Sequence, residues 1–229
     1  MKRKLNRERR QIYPESGEGG LELTAIGDVR ITERLGEGVS CVVCRGEWRD
    51  RDVTVKLYKA SAVEWHARRH HQELAEFEYR RNMEFYEAPG LARYVARPLA
   101  YLSTGPVSAL VQERLDGILY HRYYRDRNGE VPDSLVEHVR RIIELAHEAG
   151  LYDVDLHARN VMVVSEYGEP IPKLFDFNYI PFHVRPRNPF VALLLKTGWL
   201  GRRSRDFRKL REFHDFKRLE KNPVHSDNP

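Results

Sequence analysis

Between Leu21 and Leu57 apolar and polar positions alternate with a period of two, in "DVRITERLG", "SCVVCRGEW" and "RDVTVKLY", with Gly or Asp at the breaks. Alternation with β-branched residues predicts three antiparallel strands. The pattern then changes: "SAVEWHARRHHQELAEFEYRRNMEFYEA" runs without Pro or Gly and is rich in helix formers, which predicts one or two helices ending before Pro89 and Gly90. "ARYVARPLAYL" and "VSALVQERL" return to strand character, the first demoted to an edge because Pro98 has no N–H for a ladder. From Pro132, "PDSLVEHVRRIIELAHEAG" places Leu135, Val139, Ile142 or Ile143, and Ala146 at helical spacing, with Asp133 or Ser134 to cap it and Gly150 to end it. "NVMVV" and "PKLFDF" flank the "SEYGEP" turn and predict a small hairpin. The order is therefore α+β: a β-rich part, a linker, then an α-rich part.

Near the end of the chain, "GRRSRDFRKLREFHDFKRLEK" sets Phe207, Leu210, Phe213, Phe216 and Leu219 three residues apart. That spacing winds apolar side chains around a helix, so a helix docked on the body is expected, with its Arg and Lys facing outward. The first twenty residues lack periodicity and read as a flexible basic tail. A length of 229 residues suits a single domain of two lobes, and the net charge of +5 favours an anionic partner without selecting one. No charged-then-apolar leader opens the chain and "VALLL" is too short to span a bilayer, so cytosolic residence is the expectation. The basic C-terminal run offers an anionic membrane surface about 1 kcal/mol per Lys or Arg brought close to it. Nucleic-acid binding is not expected, since no aromatic platform or groove-reading helix accompanies the basic ends.

Candidate chemistry lies in four places. In "LGEGVSCVV", Gly36 and Gly38 sit at a strand-turn-strand junction, where the missing Cβ lets backbone N–H groups approach phosphate; an ordinary hairpin turn is the alternative. In "VTVK", Lys56 lies on an apolar strand and needs a nearby anion to offset its desolvation. Glu73, Glu76 or Glu78 of the following helix can supply it; Glu76 is preferred because Tyr79 and Met83 follow at the spacing of an inward face. In "DVDLHARN", Asp155 precedes Asn160 by five residues, so one loop can aim a carboxylate at a hydroxyl and an amide oxygen at a metal. In "LFDFN", Asp176 is a hard oxygen ligand suited to Mg²⁺ beside phosphate. Two other clusters carry less: Cys41 and Cys44 lie on a strand without a second pair, and His66 and His70 lack a third zinc ligand in register.

In this order, "GEGVSCVV", "VTVK", "DVDLHARN" and "LFDFN" resemble the protein-kinase-like superfamily, with its Gly-rich loop, strand Lys, catalytic loop and D-F-G metal site. The resemblance implies a bilobal kinase-like fold: a β-rich N-lobe with one long helix over about residues 21–112, and a shortened α-rich C-lobe over about 113–222, leaving a short tail at 223–229. It implies ATP and Mg²⁺ as cofactors, Lys56 on the phosphates, Asp155 as catalytic base, and Asn160 and Asp176 as metal ligands. "VQERLDG" looks like the interlobe hinge, implying adenine contacts from the backbone of Glu113 and Leu115.

The departures shape the expectation. Cys41 stands at the third glycine, Asp153 and Val154 at the His and Arg of the catalytic loop, and Asn178 at the last glycine of D-F-G. Without that Arg, control by activation-loop phosphorylation is not expected, and the short region after Asp176 argues against protein substrates. The chain is similar to the bacterial lipopolysaccharide-core kinases for Kdo and heptose, and in size and ending to the PhoP-regulated YrbL family. The expected activity is phosphoryl transfer to an alcohol group of a small-molecule or glycolipid acceptor, with a non-catalytic kinase-like regulator as the alternative. Asp153 is expected to structure the loop.

Overall fold

The computed structural model describes residues 25–70, 72–104, 107–152, 154–177, 189–197 and 204–214. The expectations for the N-terminal tail, Asp153, Asn178, Phe216 and Leu219 lie outside the described residues. The chain divides into two compact units, Met1–Met83 with Arg97–Arg114, and Glu84–Ala96 with Leu115–Pro229.

The first unit holds a six-stranded antiparallel sheet: β1 (Ala25–Ile26), β2 (Val29–Glu37), β3 (Cys41–Trp48), β4 (Arg51–Tyr58), β5 (Pro98–Thr104) and β6 (Val107–Glu113), in spatial order β1-β2-β3-β4-β6-β5. β5 is an edge strand, as Pro98 requires. One face carries a core of Val29, Cys44, Val53, Val55, Ala109 and Val111. Burial raises the Cys44 thiol above its ordinary range, and neither Cys41 nor Cys44 is in a disulfide.

The long apolar-charged run forms two helices, α1 (Ala60–His70) and α2 (Leu74–Glu87), where the resemblance implied one. Glu73 begins the second: its carboxylate accepts from the Glu76 amide (2.6 Å) and from Ser108 Oγ (2.5 Å), a side-chain cap of the kind that satisfies an unpaired helical N–H. His66 is buried against His70 and Phe77.

In the second unit, β7 (Gly117–Leu119), β8 (Val161–Glu166) and β9 (Glu169–Leu174) form an antiparallel sheet in that order. Its helices are α3 (Tyr120–Asp126), α4 (Asp133–Glu148), α5 (Pro189–Lys196) and α6 (Ser204–His214). The stretch between β6 and Pro132, expected as a linker, instead holds β7 and α3, and Tyr120, Tyr123 and Tyr124 bury one face of α3 at a spacing masked by the charged residues between them. α4 starts without a side-chain cap from Asp133 or Ser134, Pro132 taking the cap position and Asp133 lying in the first turn, where negative charge meets the helix dipole. It ends as expected. Gly150 has φ +76°, and the amides of Gly150 and Leu151 donate to the carbonyls of His147 (3.1 Å) and Ala146 (2.8 Å), a Schellman closure. Among the described residues no helix is long and apolar enough to cross a membrane.

Two glycines predict opposite outcomes. A Cβ on Gly117 would lie 2.5 Å from the Val163 carbonyl oxygen and 2.9 Å from Met162 Cγ, whereas one on Gly36 would meet nothing within 4 Å. Gly117→Ala should therefore lose about 1–3 kcal/mol in urea unfolding, and Gly36→Ala should stay within about 0.5 kcal/mol of the parent.

Candidate active site

The charged part of the first unit is built around Lys56. β4 sits between β3 and β6, with Lys56 opposite Val43 and Leu110, and the side chain is almost fully enclosed. Such an ammonium needs an anion at contact distance. Glu78 supplies it: Lys56 Nζ lies 2.6 Å from Glu78 Oε1, and the Tyr58 hydroxyl donates to Glu78 Oε2. The preference for Glu76 is thus corrected. Glu76 is at the solvent edge, paired with Arg80 one turn on (2.6 Å), while Glu73 is spent on the helix start. The buried face of α2 runs through Leu74, Ala75, Glu78, Arg81, Asn82 and Phe85, a helical stripe that hydrophobicity does not reveal because half its members are polar.

The glycine loop is more ordinary. The Gly38 amide donates to the Cys41 carbonyl (2.8 Å) and closes the hairpin, as the turn alternative has it. A Cβ at Gly36 would point into open space, so nothing within the chain demands glycine there, and the position leaves room for a phosphate-sized group. At the end of β6 the Glu113 amide donates to the Arg97 carbonyl (2.8 Å), and the Glu113 carboxylate accepts from the Arg97 amide (3.0 Å). The Glu113 amide is therefore engaged with Arg97. Leu115 belongs to the second unit and packs against its core.

In the second unit the loop between α4 and β8 alternates buried Val154, Leu156 and Ala158 with partly exposed Asp155 and His157. Asp155 has φ +57°, a left-handed backbone that non-glycine residues adopt rarely and that often marks a functional position. Asn160 Nδ2 donates to the Asp155 main-chain oxygen (3.3 Å) and to its carboxylate Oδ2 (3.2 Å). With its nitrogen turned inward, the Asn160 amide offers Oδ1 as a hard donor. The Asn160 carbonyl in turn accepts from the Phe175 amide (3.2 Å), which ties this loop to the residue before Asp176. Phe177 is buried and stacked on Phe85 at 4.3 Å, while the Leu174 carbonyl accepts from Ala96 (2.8 Å), so both sides of Asp176 are held. An amide oxygen and a carboxylate on tethered backbone suit Mg²⁺ with water and phosphate completing its shell. Among the described residues no group of three or more His, Cys, Asp or Glu forms a separate metal cluster.

Asp206 was not foreseen. Placed in the first turn of α6 and almost wholly buried, it accepts from the Val154 amide on Oδ1 (3.2 Å) and from His147 Nε2 on Oδ2 (2.9 Å). One carboxylate thus joins α6, α4 and the residue immediately before Asp155. The signal was present as an acid inside a basic helix, four and seven residues short of the core positions Leu210 and Phe213, but its partners are 52 and 59 residues away. A second brace is His121, whose amide donates to the Ala158 carbonyl (3.3 Å); burial, and then the Arg159 charge, hold its ring below the usual histidine range.

No protein-family model matches the chain, and no curated protein matches it. Among solved structures it is similar to the Mycobacterium tuberculosis PknI kinase domain, at 17% identity and a TM-score of 0.50 over 69% of this chain and 63% of that one. A double mutant of the same domain gives 17% identity and a TM-score of 0.51 over 71% and 63%. The chain therefore covers a little under two thirds of those domains. What the likeness shows is the fold, which is protein-kinase-like.

Removing Glu78 should be costly and removing Glu76 should not. Glu78→Ala removes the carboxylate at contact distance from a buried ammonium and should lose about 3–5 kcal/mol in chemical denaturation, against under about 0.5 kcal/mol for Glu76→Ala. Asp206→Ala strands the Val154 amide and His147 Nε2, each at about 1–3 kcal/mol, whereas Asp206→Asn keeps one acceptor and should lose less in the same measurement.

Proposed function

We propose that this protein is an ATP- and Mg²⁺-dependent phosphotransferase acting on a hydroxyl of a small-molecule or lipopolysaccharide-core sugar acceptor. The observation that carries this reading is the hydrogen-bonded run Asp155–Asn160–Phe175–Asp176: one tethered backbone presents a carboxylate for the hydroxyl proton and two oxygen ligands for a cation. Phosphoryl transfer asks the protein for positioning and charge stabilisation more than for covalent chemistry. Lys56, oriented by Glu78, would bind the nucleotide phosphates. Asp155 would accept the proton of the attacking hydroxyl. Asn160 and Asp176 would hold Mg²⁺, which when bound neutralises charge on the phosphates.

A second reading, a YrbL-type kinase-like regulator that binds nucleotide or a partner without turnover, is favoured by two observations. The Gly38 amide is committed to its own hairpin, and Val154 stands where the kinase catalytic loop has Arg.

Thermal shift with ATP and Mg²⁺, followed by turnover across sugar and small-alcohol acceptors, separates the two. The enzyme reading expects stabilisation by the nucleotide-metal pair together with turnover; stabilisation without turnover supports the regulator. Asp155→Ala should lower turnover by about 10²- to 10⁴-fold while leaving the thermal shift intact. Asp176→Ala should instead shrink the Mg²⁺-dependent part of the shift. An Asp155→Ala variant with parental turnover would remove the base assignment.

A further inference from the structure

The residues between Asp176 and Asp206 number 29 (205 − 176) and include no Asp or Glu, although the chain as a whole carries 34 in 229. Six cations fall in this stretch: Arg185, Arg187, Lys196, Arg202, Arg203 and Arg205. Its charge of +6 exceeds the +5 of the whole protein, so all other residues together sum to −1. At its centre lies α5, "PFVALLLK", in which Phe190 and Leu193 are 64% and 55% exposed. They are three residues apart and so share a helix face. Phe190 and Leu193 are thus large apolar side chains more exposed than buried, in a segment stripped of acids and outside the described core of the second unit.

We propose that α5 is an interfacial anchor that lays Phe190 and Leu193 into the surface of an anionic bilayer. At eight residues, about 12 Å of helix, it can lie in the headgroup boundary but cannot cross the membrane. Apolar residues on one face with cations in the flanking sequence are the composition of interfacial helices, and anionic lipid is the partner that complements both at once. A protein groove would accept Phe190 and Leu193 but would not ask for six flanking cations without a single acid. The proposal moves membrane contact away from the C-terminal basic helix: Asp206, Leu210 and Phe213 of α6 are buried, so that helix spends its inward face on the protein. It is independent of the phosphoryl-transfer reading, since adsorption can be measured without nucleotide or acceptor.

Co-sedimentation of the full chain with phosphatidylcholine vesicles, and with phosphatidylcholine mixed with phosphatidylglycerol, tests it. The protein should pellet with the anionic vesicles, remain largely in solution with the neutral ones, and be released as salt shortens the Debye length. Leu193→Ser should weaken partitioning about tenfold or more, and the Phe190→Ser/Leu193→Ser pair further, with far-UV circular dichroism and melting temperature unchanged because both side chains are already more exposed than buried. Ile118→Ser, which removes an exposed apolar residue elsewhere in the same unit, should bind as the parent does. Equal pelleting by Leu193→Ser and parent, or equal pelleting with neutral and anionic vesicles, overturns the proposal. So does light scattering that finds a dimer abolished by Leu193→Ser with no vesicle binding, which would make the face a contact between two copies of the chain.

Discussion

A positive charge buried in a β-sheet constrains much of the first unit. Lys56 lies between two strands with almost no access to water, and an isolated ammonium there would shift its protonation or unfold its surroundings. Glu78 offsets that penalty only if α2 is rotated so that its carboxylate faces the sheet, and Tyr58 holds the second carboxylate oxygen. The rotation brings Arg81 and Asn82 inward too, so the helix packs with a polar stripe where an amphipathic helix would bury an aliphatic one. Glu73 fixes where the helix begins through its own amide contact and through Ser108 of β6. A buried pair is weak as a source of stability, because hydrophobic replacements of the same volume are often as stable.

The second unit solves a different problem, holding a loop in an unfavourable backbone conformation. Asp155 pays for a left-handed φ, and the surroundings over-determine it: Asn160 grips it from within the loop, the Val154 amide is held by Asp206, and Ala158 is held by His121. These restraints come from α3, α6 and the loop itself, so the strain is distributed over the whole unit. The same tether reaches the residues around Asp176 through Phe175, and Phe177 is fixed by its stack on Phe85.

What the sequence made legible follows from the range of the interactions. Period-two runs gave β2 to β6 and the β8–β9 hairpin, and the Gly150 closure was readable because a Schellman motif is local. The motifs lay on the elements expected of them. The choice among three glutamates was not readable: periodicity was judged by Tyr79 and Met83, which are only partly buried, while the face that counts is marked by Glu78 and Asn82, residues a hydrophobic scale places outside. α3 was missed because tyrosines interleaved with Arg and His look like a linker until their spacing is checked. Asp206 was beyond reach, since nothing in a helix with so many cations says that its one early acid will be buried against a backbone amide more than fifty residues away in the chain.

The absent catalytic-loop arginine can now be read physically. In the kinase pattern that arginine lets a phosphate on another segment order the loop, so order depends on modification. Here the equivalent residue is Val154, whose side chain is buried and whose amide is the contact point. The group that meets it is a carboxylate, Asp206, backed by His147, and both belong to helices of the same unit, α6 and α4. A phosphate brought to this position would find an apolar side chain and a neighbouring negative charge, so it would be repelled where an arginine would bind it. The contact that holds the residue before Asp155 is therefore supplied by side chains of the second unit's own helices.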